Sequence, residues 1–335
     1  MTPLSDDALA HLRSVLPDAE SRYRLIERIG SGGMGIVWRA QDTRLGRDVA
    51  LKVLGPANPG ADAEARLNRE ASILARLEHP GIVPVHDAGR LDDGRLYYVM
   101  KLVRGRPLTG AVDANTSAGQ RVAIILRIAE ALAFAHRAGV IHRDLKPSNV
   151  MVGDFGEVLV LDWGVAGWLG ERSTGGEETS PALRDVHAGE TATGTILGTP
   201  GWMSPEQARG NAGQTDARTD VWGLGALLSW SFTGQAPQLV PERVATGAND
   251  SASGLPRPLE SIARRALSPD PAARYPSADA FLTDLRAWHD GDRVQAHRES
   301  AAERIERFVT RYRVPILLIA AYVIVRVAIY LFGRI

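Results

Sequence analysis

The sequence contains no cysteine. That excludes disulfide bonds, thiolate metal centres and a cysteine nucleophile, and it leaves the redox compartment open. It carries no net charge, because 39 basic side chains stand against 39 acidic ones, so no global basic excess points to nucleic acid. It is also nearly without lysine: of those 39 basic residues 36 are arginine, and the lysines are Lys52, Lys101 and Lys146 alone. A coding bias toward arginine accounts for the scarcity. Under such a bias, a retained lysine marks a place that needs a compact, reorientable ammonium, which a planar guanidinium does not imitate. The remaining composition, 44% hydrophobic and 23% charged over 335 residues, is that of ordinary globular protein. It excludes collagen-like and wholly disordered chains and suggests two domains or one large two-lobed one.

Long apolar runs are absent with one exception, Val314 to Phe332, 19 residues with Arg326 as the single charge. As a helix it would measure about 28 Å, close to one bilayer core. Arg311 and Arg313 flank its start and Arg304 and Arg307 precede them, which places the upstream side in the cytoplasm. The neutral total therefore divides. Residues 293–335 hold eight Arg against three Glu, a net of +5, and residues 1–292 hold 31 basic against 36 acidic, a net of −5. Residues 1–20 form a polar lead-in whose Asp6, Asp7, Asp18 and Glu20 do not suit a secretory signal. The expectation is a cytoplasmic N-terminal part, a basic juxtamembrane segment at 291–313, one pass through the inner membrane at 314–332, and an external tail of residues 333–335. Arg326 falls in the far half of that span, where it can snorkel outward. Ala301 to Tyr312 alternates charged and apolar residues at helical spacing and reads as a juxtamembrane helix or linker.

Tyr23–Ile29, Gly35–Gln41 and Asp48–Leu54 read as strands, Ala63–Leu77 as a helix, and Ile82–Gly89 and Leu96–Leu102 as two further strands. Val122–Ala138 reads as a long helix, and the chain beyond 200 as mostly helical. Residues 167–195 are rich in Gly, Glu, Ser and Thr and lack apolar periodicity. The glycine string Gly30-Ser31-Gly32-Gly33-Met34-Gly35 falls between two strands. A dinucleotide-binding turn opens a helix instead, so these glycines belong to a hairpin whose amides can approach phosphates. Val49-Ala50-Leu51-Lys52 supplies an ammonium on a strand, and Glu70 in the following helix is its candidate carboxylate partner.

The most specific string is Ile141-His142-Arg143-Asp144-Leu145-Lys146-Pro147-Ser148-Asn149. Asp144 can accept or orient a hydroxyl proton, Lys146 can neutralise a transferring phosphoryl group, and Asn149 can hold a magnesium ion. Two Asp-aromatic-Gly strings follow, Asp154-Phe155-Gly156 and Asp162-Trp163-Gly164. The first falls at the tip of a short hairpin. The second ends the returning strand beside Asn149, so Asp162 is the candidate metal ligand and Trp163 replaces the usual phenylalanine.

With these motifs in this order, the chain resembles the eukaryotic-like (Hanks-type) Ser/Thr protein kinases of bacteria over about residues 23–290. The resemblance includes Gly198-Thr199-Pro200, Ser204-Pro205-Glu206 where Ala-Pro-Glu is common, Asp220-Val221-Trp222-Gly223, and Arg274. It implies an α+β bilobal fold with a β-rich N-lobe and hinge at 21–103 and a mainly helical C-lobe at 104–290, the activation segment being 162–206. It implies ATP with magnesium (or manganese), protein substrates, membrane lipid around a C-terminal helix as in receptor-type members, and a homodimer as an activating contact. By the same resemblance Met100 is the gatekeeper and Lys101 to Val103 the hinge, with Glu commoner at position 101. Ile29, Val37, Ala50 and Met151 enclose the adenine, and Gly30, Gly32, Gly33 and Gly35 cover the phosphates. Thr199 belongs with Lys146 in Ser/Thr-directed members. Thr191 and Thr193 are the expected autophosphorylation sites, and Arg143 is the cation for a phosphorylated activation segment. Glu206 is expected to pair with Arg274, and Asp220 to brace the catalytic loop. A non-catalytic scaffold would have lost a key Lys, Asp or Asn, and none is lost. A small-molecule phosphotransferase would not need the Gly198–Glu206 segment.

Overall fold

The computed structural model describes residues 22–32, 35–54, 61–91, 94–168, 201–210, 215–237 and 254–332. Period-two patterning builds its first part. Strands β1 (Tyr23–Gly32), β2 (Gly35–Asp42), β3 (Arg47–Leu54), β4 (Val85–Arg90) and β5 (Leu96–Lys101) form one antiparallel sheet in the order β1-β2-β3-β5-β4. Along β5, Leu96 and Tyr98 face the main core while Val99 faces a smaller one. The smaller core holds Tyr23, Ile36, Trp38, Ala40, Val49, Leu51 and Val53. Helix α1 (Ala61–Leu74) lies between β3 and β4 in sequence and contributes Leu67, Ile73 and Leu74 to the main core.

The second part is organised around α3 (Ala118–Arg137), reached through β6 (Gly105–Pro107) and the single-turn α2 (Leu108–Ala111). Helix α3 begins four residues before its first apolar position. Ser117 and Gln120 make a reciprocal capping box that satisfies its first amides, and apolar periodicity does not register such a polar first turn. Its buried stripe of Val122, Ile125, Ala129 and Leu132 packs against α5 (Ala217–Thr233) and α7 (Ala278–His289), with α6 (Arg257–Ala266) beside α5. In chain order α3 is followed by β7 (Val140–Ile141), a 3₁₀ turn (Pro147–Asn149), β8 (Val150–Gly153), β9 (Val158–Val160), β10 (Gly167–Trp168) and the short α4 (Pro205–Ala208). β8 pairs with both β6 and β9, and β7 with β10. The expected strand at Ile82 is a single parallel bridge to Val160, since Pro84 interrupts the stretch and β4 starts at Val85. Helix α1 likewise ends at Leu74, three residues short of the expected Leu77.

Gly223 sets a distance that matters for the site. A side chain there would bring its first carbon within 2.8 Å of the Leu145 Cβ, so only glycine lets α5 lie against the loop after β7. After a short irregular stretch come α8 (Ala301–Arg311) and α9 (Arg313–Phe332), their axes bent by 75°. Among the described residues no single helix is long and apolar enough to cross a membrane. The pair Ala301–Arg311 and Arg313–Val327 passes that test only when taken together.

Candidate active site

Three segments converge. On β3, Lys52 stands opposite Val37 on one side and Tyr98 on the other. Its ammonium donates to both carboxylate oxygens of Glu70 at 2.8 Å. Tyr98 donates its hydroxyl to the same carboxylate at 2.9 Å. Burial, and then the charge of Glu70, push the Tyr98 phenol well above its ordinary range, so it remains a donor. The Lys52 side chain is only 10% exposed, and its Nζ also lies 3.6 Å from Asp162 Oδ1. Asp162 is one of two non-glycine residues with positive φ among those described (57°; the other is Arg143, 68°). A side chain in this region costs about 1–2 kcal/mol. Both sit in this site. Asp162 keeps 51% of its side chain exposed, while Trp163 beside it is fully buried, edge-on to His142 at 4.7 Å.

The loop after β7 is held from two sides. Asp220, buried in α5, accepts the His142 and Arg143 amides at 2.8 Å each, together with His136 Nε2 at 2.8 Å. Burial alone would raise its carboxyl, but the hydrogen bonds from the His136 ring and the His142 amide outweigh burial and hold it below the ordinary range. His142 Nε2 meets the Leu161 carbonyl at 3.0 Å, and the Asp144 amide meets Nδ1 at 3.3 Å. A carbonyl only accepts and an amide only donates, so the proton of His142 is on Nε2. The ring thereby ties the Asp144 loop to the residue preceding Asp162. Lys146 Nζ lies 2.6 Å from Asp144 Oδ2, and Asn149 Nδ2 donates to the Asp144 carbonyl at 2.8 Å and to Oδ2 at 3.1 Å. Burial raises the Asp144 carboxyl, but Lys146, by its hydrogen bond and its charge, and the Asn149 amide outweigh burial and hold it below its usual value. Asp144 is therefore ionised at neutral pH.

Around this centre, Ala50 is buried, Val37, Met100, Val103 and Met151 are half-buried, and Ile29 and Lys101 are exposed. Gly30 sits against Val37, and Gly32 faces Gly35 across the β1–β2 pair. The string Asp154-Phe155-Gly156 forms the turn between β8 and β9, with Phe155 97% exposed and Gly156 at φ 83°. Glu206 accepts two bonds from Arg274 at 2.7 and 2.8 Å, both side chains being buried. Gly33, Thr191, Thr193 and Thr199 lie outside the described residues.

A profile of the protein kinase domain matches residues 23–298. The chain belongs to the protein kinase family. This kinase domain is 36% identical over 295 residues to the probable serine/threonine-protein kinase PknB of Bifidobacterium longum, covering 82% of this chain and 40% of that protein. It is also 36% identical over 304 residues to the serine/threonine-protein kinase pkn3 of Myxococcus xanthus, covering 84% and 52%. The chain thus spans about half or less of the length of these curated relatives. Among solved structures, the crystallised kinase domain of Mycobacterium tuberculosis PknI superposes with a TM-score of 0.57 at 28% identity, covering 79% of this chain and 96% of that one. The bilobal kinase fold, β-rich then helical, is therefore the fold of this chain.

Three residues around this site lie outside the motif strings, and a fourth lies in one that does not display its role. Tyr98 is legible only through strand register, which sets it opposite Lys52. His136, at the end of α3, acts on the loop only through Asp220, whereas Gln207 reaches it directly from distant sequence, its amide donating to the Arg143 carbonyl at 2.6 Å. His142 is part of the catalytic string, but its bridging role needs the position of Leu161.

Proposed function

We propose that the chain is a membrane-anchored Ser/Thr protein kinase that transfers the γ-phosphoryl group of ATP to protein hydroxyls. The observation that carries this reading is the convergence of Lys52, Glu70 and Asp162 on one side with Asp144, Lys146 and Asn149 on the other, joined through His142. In this reading Lys52 contacts the α- and β-phosphates and Glu70 holds its direction. Asp144 accepts the proton of the substrate hydroxyl as that oxygen bonds to the γ-phosphorus and the bond to ADP breaks. Lys146 lies beside Asp144 to neutralise charge on the group in transit. Most of the rate comes from positioning and charge neutralisation. Lys101 gives its own amide to the Pro84 carbonyl at 3.1 Å, so its carbonyl is the main-chain group assigned to adenine, with Val103 supplying the next. Ile29, Val37, Ala50, Met100 and Met151 enclose the base, and Gly30, Gly32, Gly33 and Gly35 cover the phosphates.

The chemistry a bound magnesium ion would supply is neutralisation of negative charge on the nucleotide phosphates. The ion's holders would be Asp162 and Asn149. The donor set fits: the Asn149 amide nitrogen is turned to Asp144, which assigns its carbonyl oxygen to a cation, and Asp162 offers an exposed carboxylate. Among the described residues no cluster of three or more His, Cys, Asp or Glu could hold a metal unaided. That matches a cation that shares its shell with nucleotide phosphates. Manganese is the expected substitute.

Thr191 and Thr193 are the proposed autophosphorylation sites, Arg143 their phosphate partner, and Thr199 the residue that accompanies Lys146 at the substrate hydroxyl. A homodimer is the proposed activating contact, by analogy alone. The anchor at 314–332 in the inner membrane is supported by apolar side chains exposed on every side of α9 from Val314 to Val327 and by the +5 end of the sequence. The test is an assay of the full chain with labelled ATP and magnesium. Label is expected on Ser and Thr of added protein and on the 185–200 peptide. Transfer to small molecules without any to protein would overturn the reading.

A further inference from the structure

Helix α8 inverts the arrangement of an ordinary surface helix. Ile305, Phe308 and Val309, continued by the capping residue Tyr312, recur at the spacing of one helical face, and that face points away from the protein, its side chains 64, 59, 48 and 43% exposed. The other side is the one tied to the kinase domain, and by polar contacts. Glu303 meets His297 at 3.3 Å, Arg307 donates to both oxygens of Glu299 at 2.9 Å, and Arg311 pairs with Asp292. A soluble surface helix buries its apolar stripe and hydrates its polar one, so the stripe on α8 faces an apolar occupant outside the domain.

We infer that α8 lies in the plane of an anionic bilayer surface, with its stripe at the boundary of headgroups and acyl chains. The inference rests on the anchor reading of α9 and adds to it the role of the preceding helix. Three observations select lipid as the occupant. Helix α9 follows after one residue and exposes apolar side chains all round. The bend between the two axes is 75°, so with α9 along the membrane normal α8 is tilted only 15° (90 minus 75) out of the membrane plane. Residues 301–313 carry four Arg against two Glu, a net of +2, which suits anionic headgroups. A second copy of the chain would cover the stripe but would require neither the bend nor the basic excess. Helix α8 then has two working faces, an apolar one on lipid and an ionic one that meets the kinase domain at Asp292 and His297.

Because the chain has no cysteine, single probes can be placed without background. The full chain is reconstituted in vesicles of phosphatidylcholine with phosphatidylserine, and in phosphatidylcholine alone. Ile305→Cys, Phe308→Cys, Tyr312→Cys, the opposite-face Thr310→Cys and the α9 variant Ile319→Cys are labelled with an environment-sensitive fluorophore or a nitroxide. The expected result is a blue-shifted, water-quencher-protected label at 305, 308 and 312, an aqueous one at 310, and a larger shift with phosphatidylserine. Labels at 308 and 312 as water-accessible as at 310, with 319 in hydrocarbon, would overturn the in-plane helix and leave the anchor standing. A water-accessible label at 319 would overturn both. Spin–spin broadening at 308 under dilute reconstitution would assign the stripe to a second copy. Equal shifts in both vesicle types would overturn the anionic preference.

Discussion

Arg274→Met tests how the Ser204-Pro205-Glu206 turn is fastened to the helical part of the fold. Arg274 gives two bonds to Glu206 at 2.7 and 2.8 Å, others to the Ser268 and Arg218 carbonyls at 2.8 and 3.1 Å, and lies 5.0 Å from the centre of the Trp222 ring. Methionine approximates the stem and removes the charge, so Glu206, 4% exposed, is left as a buried carboxylate without a cation, keeping bonds from Thr219 at 3.1 Å and from Ser204. Removing one partner of a buried pair costs about 3–5 kcal/mol. For a domain of this size that corresponds to a fall in Tm of roughly 6–20 °C. Thermal and urea unfolding of the full chain in detergent would measure it. The double variant Glu206→Leu with Arg274→Met should recover much of the loss, since an apolar pair replaces an ionic one at little net cost. The pH dependence has a definite sign. Burial raises the Glu206 carboxyl, but Arg274 outweighs burial and holds it below its ordinary value of 4.5. Its contribution is therefore complete above that ordinary value and is lost as pH falls through the lower folded value. The gap between native protein and Arg274→Met should accordingly close in acid below about pH 4.5. A loss under about 1 kcal/mol at neutral pH, against the expected 3–5, or a double variant no better than the worse single one, would refute the reasoning.

The two Asp-aromatic-Gly strings make opposite predictions. Asp162→Ala should lower magnesium-dependent transfer by about 10²-fold or more, the scale of one lost preorganised electrostatic contact, while Asp154→Ala, on an exposed hairpin tip, should leave steady-state kcat unchanged. Asp220→Asn replaces one accepting oxygen by a donor where three donors converge. It should lower kcat more than it raises the KM for ATP, because it disturbs the Asp144 loop and leaves β3 untouched; an unchanged kcat would sink the bracing role.

Much of the site was legible in the sequence because its strings are local. The Asp144 to Asn149 loop and the Lys52 strand each place their chemistry within a few residues of one turn or strand. The placement of the two Asp-aromatic-Gly strings was also legible, since counting residues along a short hairpin puts Phe155 at its tip and Asp162 at its foot. What the sequence hid is long-range. His136 bonds Asp220, 84 residues away, and Gln207 bonds the Arg143 carbonyl, 64 residues away, and neither sits in a string that announces it. Helix starts were missed where a polar cap rather than an apolar stripe begins the helix, as at Ser117. The strand expected from Ile82 begins only at Val85, because the apolar character of Ile82 and Val83 reflects burial in the main core, not sheet membership.

The near-absence of lysine has a chemical consequence for anyone handling this protein. Lys52 and Lys146 are 10% and 19% exposed at their side chains and each engages a carboxylate, whereas Lys101 is exposed at the end of β5. Reagents that acylate primary amines therefore meet one open lysine, and it stands at the proposed rim of the adenine pocket. A fluorophore attached there would report nucleotide arrival directly, and the same adduct formed by accident during immobilisation would obstruct it.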